Sequence, residues 1–448
     1  MIIWLIYPIL VRSAVASWTL IVDCGSTGSR LYAYRMDGQD VRVMRGSKMK
    51  PGLHTIFAQS NTSAIEKMAE MLRSGARMVQ DNFDTILIRC TGGVRDELEI
   101  EEQMEMLDHL FFGLQSHGIL LKDRNQIDII SGYDEAAYAF NAANFLEKKL
   151  DHKLQKVQKN EELNGALDLG GSSTQITYLN NDGLFAQSYA GLGAQAVRAR
   201  LKVNMIDNDP CAHRGDGVGT GNLDACIHTI RRLILSDNER LQQCNTAVED
   251  TERRNACAVE PWRYEIPEPK SSIRFLAMCN FFYAADAIRS FSAEPLEGWP
   301  TPALSDLEEK ARTFCALPWH QVRQQFSGKH HYTSDSLLSS RCFDAALVLF
   351  ILRDVYALDQ VTFLLETQSG LEVEWTLGYF LDHLRQQQDN TCSISTTTTT
   401  VAATNISVGD HPRDDIVSIP SFHDQHTRPT FAAHFSSTST TPTVSIVI

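Results

Sequence analysis

Basic residues are too few in this sequence for a protein that binds nucleic acid. Its 448 residues contain 41 Lys and Arg against 55 Asp and Glu, which gives a net charge of -14, and no basic block occurs. Because affinity for that polyanion comes mainly from basic side chains, we expect no nucleic-acid partner. A small anionic ligand is not excluded, since local N–H groups and a metal ion can offset the net charge.

Long apolar runs and zinc-type cysteine pairs are also missing. Residues 1–11 form an apolar run, but a membrane helix needs about 20 residues, and the C-terminal segment contains no such run. We therefore expect no stable transmembrane anchor. The absence of any C-x-x-C pair argues against a zinc site.

The overall composition is that of a folded chain with several domains. It is 43% hydrophobic and 21% charged, with a mean hydropathy of -0.21, which excludes wholesale disorder and a polytopic membrane protein. At roughly 100–200 residues per domain, the length predicts two to four domains.

The N-terminus has the pattern of an export signal. Arg12 and the small residues of 13–17 follow the apolar run, which predicts a signal peptide, residues 1–16, with cleavage after Ala16. A buried first strand or a truncated gene start is the alternative. Export predicts a secreted protein or one in the lumen of the secretory pathway.

Ten cysteines agree with export, because disulfides form in oxidising compartments. Four of them share one polar stretch and predict two local disulfides, with all three pairings open; these are Cys211, Cys226, Cys244 and Cys257. A third bridge is expected between Cys315 and Cys342. Three others lie in apolar contexts and are expected to be free; these are Cys24, Cys90 and Cys279.

Two further segments point to a glycoprotein. Asn61-Thr62-Ser63 and Asn405-Ile406-Ser407 fit the short N-glycosylation pattern. After Cys392 the chain becomes rich in Ser and Thr and loses periodicity. We predict a disordered tail over 393–448, open to O-glycosylation.

Apolar patterns alternate between strand and helix along the rest of the chain. Residues 19–24, 31–35, 85–90 and 127–130 read as strands. Helices are predicted over about 96–115 and 134–150, and another is expected to start at a capping box of Ser63 and Glu66. This alternation predicts an α/β architecture.

An internal repeat is the most informative feature. VDCGSTGSRLYAY at 22–34 aligns without gaps to LDLGGSSTQITYL at 167–179. Each copy is an apolar strand that ends in Asp, a Gly/Ser/Thr loop and a second strand. Neither loop fits the P-loop or the Rossmann pattern.

The repeated loops suggest a cradle for phosphates with a metal ion beside it. Glycines let the backbone N–H groups approach a ligand closely, and Ser and Thr add hydroxyl groups. Asp23 and Asp168 end the two preceding strands and would place two carboxylates next to the cradle. That pair predicts a Mg²⁺ or Ca²⁺ site, held partly through water.

Six segments resemble motifs of one enzyme family. They are DCGSTGSR at 23–30, CTGGVR at 90–95, SGYDEAAYAFNAANFL at 131–146, LDLGGSSTQI at 167–176, FLAMCNFFYAADAI at 275–288 and VEWTLGYFL at 373–381. In order and spacing they are similar to the apyrases, or nucleoside triphosphate diphosphohydrolases, a family that includes Golgi nucleoside diphosphatases.

The resemblance implies a fold and its division. The fold would be α/β, with two RNase-H-like lobes, as in actin-like ATPases, around a central nucleotide cleft. Lobe I would comprise 18–131 plus 366–392, and lobe II 132–365.

The resemblance also implies roles for individual residues. Glu135 would be the general base, and three polar residues would orient the attacking water: Thr91, Ser173 and Gln175. Asp23, Asp168 and Trp375 would surround the Ca²⁺ or Mg²⁺ ion. The phosphates would be held by Ser26, Thr27, Gly28, Ser29, Arg30, Gly170, Gly171 and Ser172. Asn280 and Tyr283 would contact the base.

Bland alternatives exist for several of these residues. Glu135 could be a solvated carboxylate at a helix N-terminus, where its negative charge interacts favourably with the helix macrodipole. Trp375 could be a core residue, and Gln175 could face solvent from mid-strand. Arg95 could contact phosphate, as is expected of Arg30, or be merely solvated at the start of a helix. Three departures from the family pattern are Cys24 for Ala, TGGV for TAGM, and Tyr133-Asp134 before the Glu.

The expected activity is hydrolysis of nucleoside tri- and/or diphosphates to the monophosphate and phosphate by a water molecule that Glu135 activates. A nucleotide-binding protein without turnover is one alternative, which the three departures motivate. A related phosphotransferase or exopolyphosphatase on the same fold is another.

Overall fold

Two five-stranded sheets form the frame of the protein. The computed structural model describes residues 17–204, 207–236, 266–366 and 372–397. The first sheet contains β1 (Trp18–Gly25), β2 (Gly28–Asp37), β3 (Asp40–Met49), β4 (Phe83–Cys90) and β5 (Ile127–Ile129), in the order β3-β2-β1-β4-β5. The second contains β6 (Gly165–Leu169), β7 (Ser173–Asn180), β8 (Gly183–Ala190), β9 (Phe275–Cys279) and β10 (Thr362–Phe363), in the order β10-β9-β6-β7-β8.

The two sheets repeat one topology, as the internal repeat predicts. In each, the first strand pairs antiparallel with the second and parallel with the fourth. Asp23 lies opposite Arg30 in the first hairpin, and Asp168 lies opposite Gln175 in the second. Both Asp residues therefore sit at equivalent positions, next to the loops that close their hairpins.

Helices cover the sheets and connect their strands. In the first half of the chain they are α1 (Leu53–Gln59), α2 (Asn61–Met78), α3 (Gly92–Arg95), α4 (Ile100–Ser116) and α5 (Gly132–Leu146). In the second half they are α6 (Ala194–Asn204), α7 (Leu223–Ser236), α8 (Asn280–Phe291), α9 (Leu304–Ala316), α10 (Trp319–Phe326), α11 (Asp335–Leu338), α12 (Arg341–Leu349) and α13 (Trp375–Thr397). A short π-helix, Phe350–Val355, continues α12.

The start of α2 corrects the predicted capping box. The helix begins at Asn61, and Ser60 is its cap, because the Ser60 hydroxyl accepts a hydrogen bond from the Ser63 N–H at 3.2 Å. Ser63 thus lies inside the first turn. Both serines satisfy the sequence rule for a cap, and only the backbone conformation distinguishes them.

Each sheet has its own hydrophobic core. One cluster includes Leu20, Val22 and Ile88 from the first sheet together with residues of α2 and α4. The other joins the second sheet to α7, α8, α9 and α12. We call the two halves built on these sheets the first and second lobes.

The last helix contacts both lobes, since it packs against α5 as well as against the first sheet. Tyr34 and Thr376 share a hydrogen bond of 2.7 Å between their hydroxyl groups, and Arg89 Nε donates to the Tyr379 hydroxyl at 2.8 Å. Gly378 lets α13 approach α5 closely, since a Cβ there would lie 1.9 Å from the Tyr138 carbonyl oxygen. The helix runs through Thr397, past the predicted start of the tail at residue 393.

The cysteines follow the sequence prediction where the structure describes them. Disulfides join Cys211 to Cys226 and Cys315 to Cys342, and Cys24, Cys90 and Cys279 are free. The predicted signal peptide, Cys244, Cys257 and residues 398–448 lie outside the described residues. Over the described ranges, none of the helices combines the length and apolarity that a bilayer crossing requires.

Candidate functional site

A cleft with a cavity of about 350 Å³ lies where the two hairpin loops face each other. Of the residues that the sequence singled out for the site, all but Ser29 and Gln175 line it. The structure thus brings together Asp23, Ser26, Thr27, Gly28, Arg30, Thr91, Glu135, Asp168, Gly170, Gly171, Ser172, Ser173, Asn280, Tyr283 and Trp375.

Asp23 and Asp168 bring two buried carboxylates into the cleft. Their exposed fractions are 4% and 7%, and within the described part of the chain neither Oδ1 atom has a hydrogen-bond partner. Burial raises the pKa of Asp23 to about 8, against the opposing charge of Arg30, and burial also raises the pKa of Asp168 to about 6. A buried carboxylate remains ionised only beside a compensating charge, which a bound cation can supply.

These two carboxylates fit a hard divalent cation. Oxygen ligands are what Mg²⁺ and Ca²⁺ prefer, and Mg²⁺ commonly binds one or two carboxylates plus waters and substrate phosphates. Among residues 17–204, 207–236, 266–366 and 372–397, no group of three or more His, Cys, Asp and Glu forms a cluster that could hold a metal ion. A cation at Asp23 and Asp168 would therefore take its other ligands from water and phosphate.

Glu135 lies in the first turn of α5, directly at the cleft. Ser131 caps this helix, since its hydroxyl accepts a hydrogen bond from the Asp134 N–H at 3.0 Å. The Glu135 side chain is not solvated, because only 8% of the residue is exposed. Arg95 Nη1 donates to Glu135 Oε2 at 3.0 Å. Burial raises the pKa of Glu135 to about 7 in spite of that cation, and such a pKa suits a general base at neutral pH.

Gln175 points into the protein, towards Glu135, and not to solvent. Its Nε2 atom donates to Ser173 Oγ at 2.8 Å and to Ser188 Oγ at 3.0 Å, and it lies 3.4 Å from Glu135 Oε2. Ser188 lies opposite Gln175 on β8. No motif in the sequence indicates Ser188, because this residue becomes a neighbour of Gln175 only through strand pairing.

Two basic side chains that the motifs did not reveal also line the cleft. Lys48 lies in β3 and Lys50 directly follows that strand, and both line the cleft together with Gly28. Burial, with the nearby charge of Arg30, lowers the pKa of Lys48 to about 8. Arg30 itself lies 3.7 Å from Asp23 (Nη1 to Oδ2), so its charge is shared with the carboxylate.

The opposite end of the cleft is aromatic. The ring of Tyr283 lies 5.8 Å from that of Tyr332, tilted by 45°, and both residues line the cavity. Asn280 Nδ2 donates to the Leu169 carbonyl at 2.8 Å, so its amide also holds the end of β6 in place. Arg341, buried beside Tyr332, completes this wall.

The last helix contributes Trp375 and a carboxylate that sequence reasoning missed. Trp375 is buried and lines the cleft at the start of α13. Glu374, immediately before it, is also buried and raises the pKa of both Asp23 and Asp168 through its charge. The sequence did contain a signal for Glu374, because this residue lies within the VEWTLG segment, which resembles a family motif.

Comparison with known proteins identifies relatives of this chain. The chain matches the GDA1/CD39 (nucleoside phosphatase) family over residues 10–188 and 179–397. It is 25% identical over 423 residues to a probable apyrase 6 of Arabidopsis thaliana, a match that covers 81% of this chain and 72% of that protein. It is 24% identical over 427 residues to ectonucleoside triphosphate diphosphohydrolase 1 of Bos taurus, with 81% and 80% covered.

The fold agrees with a solved structure. The nucleoside triphosphate hydrolase of Neospora caninum superimposes with a TM-score of 0.55 at 15% identity, over 82% of this chain and 92% of that one. The two mixed α/β lobes confirm the predicted actin-like fold. Taken with the family match over most of its length, this shows that the chain belongs to the GDA1/CD39 (nucleoside phosphatase) family and is a nucleotide hydrolase.

Proposed function

We propose that this protein is a secreted or lumenal apyrase that removes the terminal phosphate of nucleoside tri- and/or diphosphates. The observation that carries the proposal is the meeting, in one cleft, of a buried Glu135 and two buried carboxylates with unpaired oxygens, Asp23 and Asp168. A base and a cation site on either side of a phosphate cradle are what in-line attack by water requires.

Glu135 takes the proton from the attacking water. Its carboxylate is close to Gln175 and, through that amide, to the Ser173 hydroxyl, so these groups orient the water for attack. Thr91, at the end of β4, adds a further hydroxyl group to the same polar wall. Because burial raises the pKa of Glu135 to about 7, about half of the group is deprotonated at neutral pH, and the carboxylate is more basic than an exposed one.

The two hairpin loops hold the phosphates. Ser26, Thr27, Gly28 and Arg30 from the first lobe and Gly170 to Ser172 from the second surround the cradle, and Lys48 and Lys50 offset the charge of the phosphates. Asp23 and Asp168, with Trp375 beside them, would hold a Ca²⁺ or Mg²⁺ ion, which would polarise the phosphate oxygens. Tyr283 stacks on the base.

The disulfide bonds indicate an oxidising compartment and so support the proposed location. The described residues contain two disulfides, and such bonds are rare in cytosolic proteins. The apolar N-terminal run and the two N-glycosylation patterns agree with entry into the secretory pathway.

Phosphate release from a panel of nucleotides tests the proposal. ATP, ADP, GDP and UDP are each assayed with Ca²⁺, with Mg²⁺ and with a chelator, using the wild type and Glu135→Gln. We expect release to require the cation and the substitution to reduce kcat by more than about 10²-fold, the low end of general-base contributions. Asp134→Asn is the matched control, since it removes an adjacent carboxylate that does not line the cleft.

Three outcomes would contradict the proposal. Equal turnover by Glu135→Gln and the wild type would remove Glu135 from its role. Nucleotide binding without release of phosphate would indicate a binding protein. Preference for inorganic polyphosphate over all four nucleotides would indicate an exopolyphosphatase.

A further inference from the structure

The Glu97 carboxylate links a residue of each lobe beside the phosphate loops. Ser172, in the loop between β6 and β7, donates from Oγ to Glu97 Oε1 at 2.6 Å. Glu97 follows α3 in the first lobe, 75 residues away in sequence. Its other oxygen, Oε2, lies 3.1 Å from His54 Nε2 on α1. We call His54, Glu97 and Ser172 the loop clasp.

The clasp lies where the two phosphate loops are in close contact. A Cβ at Gly171 of the second lobe would lie 2.3 Å from the Ser26 hydroxyl, and a Cβ at Gly92 of the first lobe would lie 3.1 Å from the Ser172 Cβ. Residues of both lobes therefore approach one another with little room for another side chain. The hydrogen bond from Ser172 to Glu97 crosses this contact.

Charge strengthens the clasp. The hydrogen bond from His54, and then that from Ser172, lowers the pKa of Glu97, so this carboxylate is ionised at neutral pH. Hydrogen bonds to an ionised acceptor are roughly twice as strong as those between neutral groups. Ser172 is buried and lines the cleft, whereas Glu97 lies outside it at the rim.

We propose that Glu97, supported by His54, is a positioning residue that holds the second phosphate loop in its binding geometry through Ser172. The inference rests on the proposed function, because it assigns the loop of Ser172 to the phosphates. Ordering this loop before the nucleotide arrives reduces the entropy lost on binding. The loop contacts phosphate in both the ground state and the transition state, so its loss changes KM and leaves kcat nearly constant.

A double-mutant cycle tests the proposal. We expect Glu97→Ala to raise KM about tenfold, the low end for a hydrogen bond to a charged group, with kcat within about twofold. Ser172→Ala should raise KM as well, and adding Glu97→Ala to it should change little, because the two residues share one interaction. Glu97→Gln keeps an acceptor for Ser172 but loses the charge, so it should recover about half of the lost binding free energy. Glu101→Ala, an exposed carboxylate in the first turn of α4, is the matched control.

The outcomes separate this inference from the proposed function. Additive effects of the two substitutions, a fall in kcat at constant KM, or no effect of Glu97→Ala in an active enzyme would each overturn the clasp. Undiminished turnover by Glu135→Gln, measured in the same assay, would instead overturn the proposed function. Thermal unfolding of every variant shows whether a loss of activity reflects a loss of fold.

Discussion

Replacement of Arg95 by Met should move the pH dependence of the enzyme. Arg95 Nη1 lies 3.0 Å from Glu135 Oε2 in a buried environment, and its charge opposes the effect of burial on the pKa of that carboxylate. Two unit charges 4 Å apart interact by about 4 kcal/mol at an effective dielectric constant of about 20, and one pKa unit corresponds to 1.36 kcal/mol. Since an opposite charge typically lowers a carboxyl pKa by 1–3, we expect its removal to raise the pKa of Glu135 by about 2.

The sign of the effect follows from the role of the base. Glu135 acts only when deprotonated, so activity falls as pH decreases through its pKa, which is about 7 in the wild type. In Arg95→Met the acidic limb of the pH profile, where activity falls as pH decreases, should move to about pH 9. The value of kcat/KM should then be reduced about 50-fold at pH 7 and be largely restored at alkaline pH. The profile of kcat/KM against pH, from pH 5 to 10, measures the limb in the free enzyme.

Two controls make this result specific. Arg95→Lys keeps a cation near Glu135 and should shift the limb less, while Arg312→Met removes a surface ion pair with Asp224 and should not shift it. An unmoved limb in Arg95→Met would refute the reasoning. So would an equal loss of activity at every pH, which is the behaviour expected if Arg95 contacts phosphate and not the base.

Two other changes have definite expected outcomes. Glu374→Gln removes a negative charge that acts on Asp23 and Asp168. Half-maximal activity in metal-buffered assays should therefore require about tenfold more Ca²⁺ or Mg²⁺. An unchanged metal requirement would contradict this electrostatic role. Gly378→Ala would bring a Cβ within 1.9 Å of the Tyr138 carbonyl oxygen, so the free energy of unfolding should fall by about 1–3 kcal/mol in denaturant titrations; an unchanged midpoint would show that α13 can shift without cost.

The parts of the site that the sequence could predict are those encoded in short, local sequence motifs. The repeat at 22–34 and 167–179 carries strand, turn and carboxylate together, so the equivalence of Asp23 and Asp168 could be read before any folding was considered. The duplicated strand order then follows from the same pattern applied twice. Both Asp residues reach the cleft because each hairpin ends there.

The parts that it could not predict depend on long-range packing. Lys48, Tyr332 and Ser188 lie in unremarkable local sequences and reach the site only through strand pairing or helix packing. Ser60 and Ser63 both satisfy the rule for a helix cap, and the extended backbone of Ser60 decides between them. Arg95 was expected to be solvated or to contact phosphate, and its partner Glu135 lies 40 residues further along the chain.

The late position of the last helix in the chain has a consequence for the biosynthesis of the enzyme. Glu374 and Trp375 stand at the cleft, yet they follow both sheets in the chain, so a polypeptide emerging from the ribosome has two nearly finished lobes before it has this wall. Until those residues are made, Tyr34 and Arg89 also lack their partners on α13. The cleft therefore gains this wall only after both sheets have been synthesised.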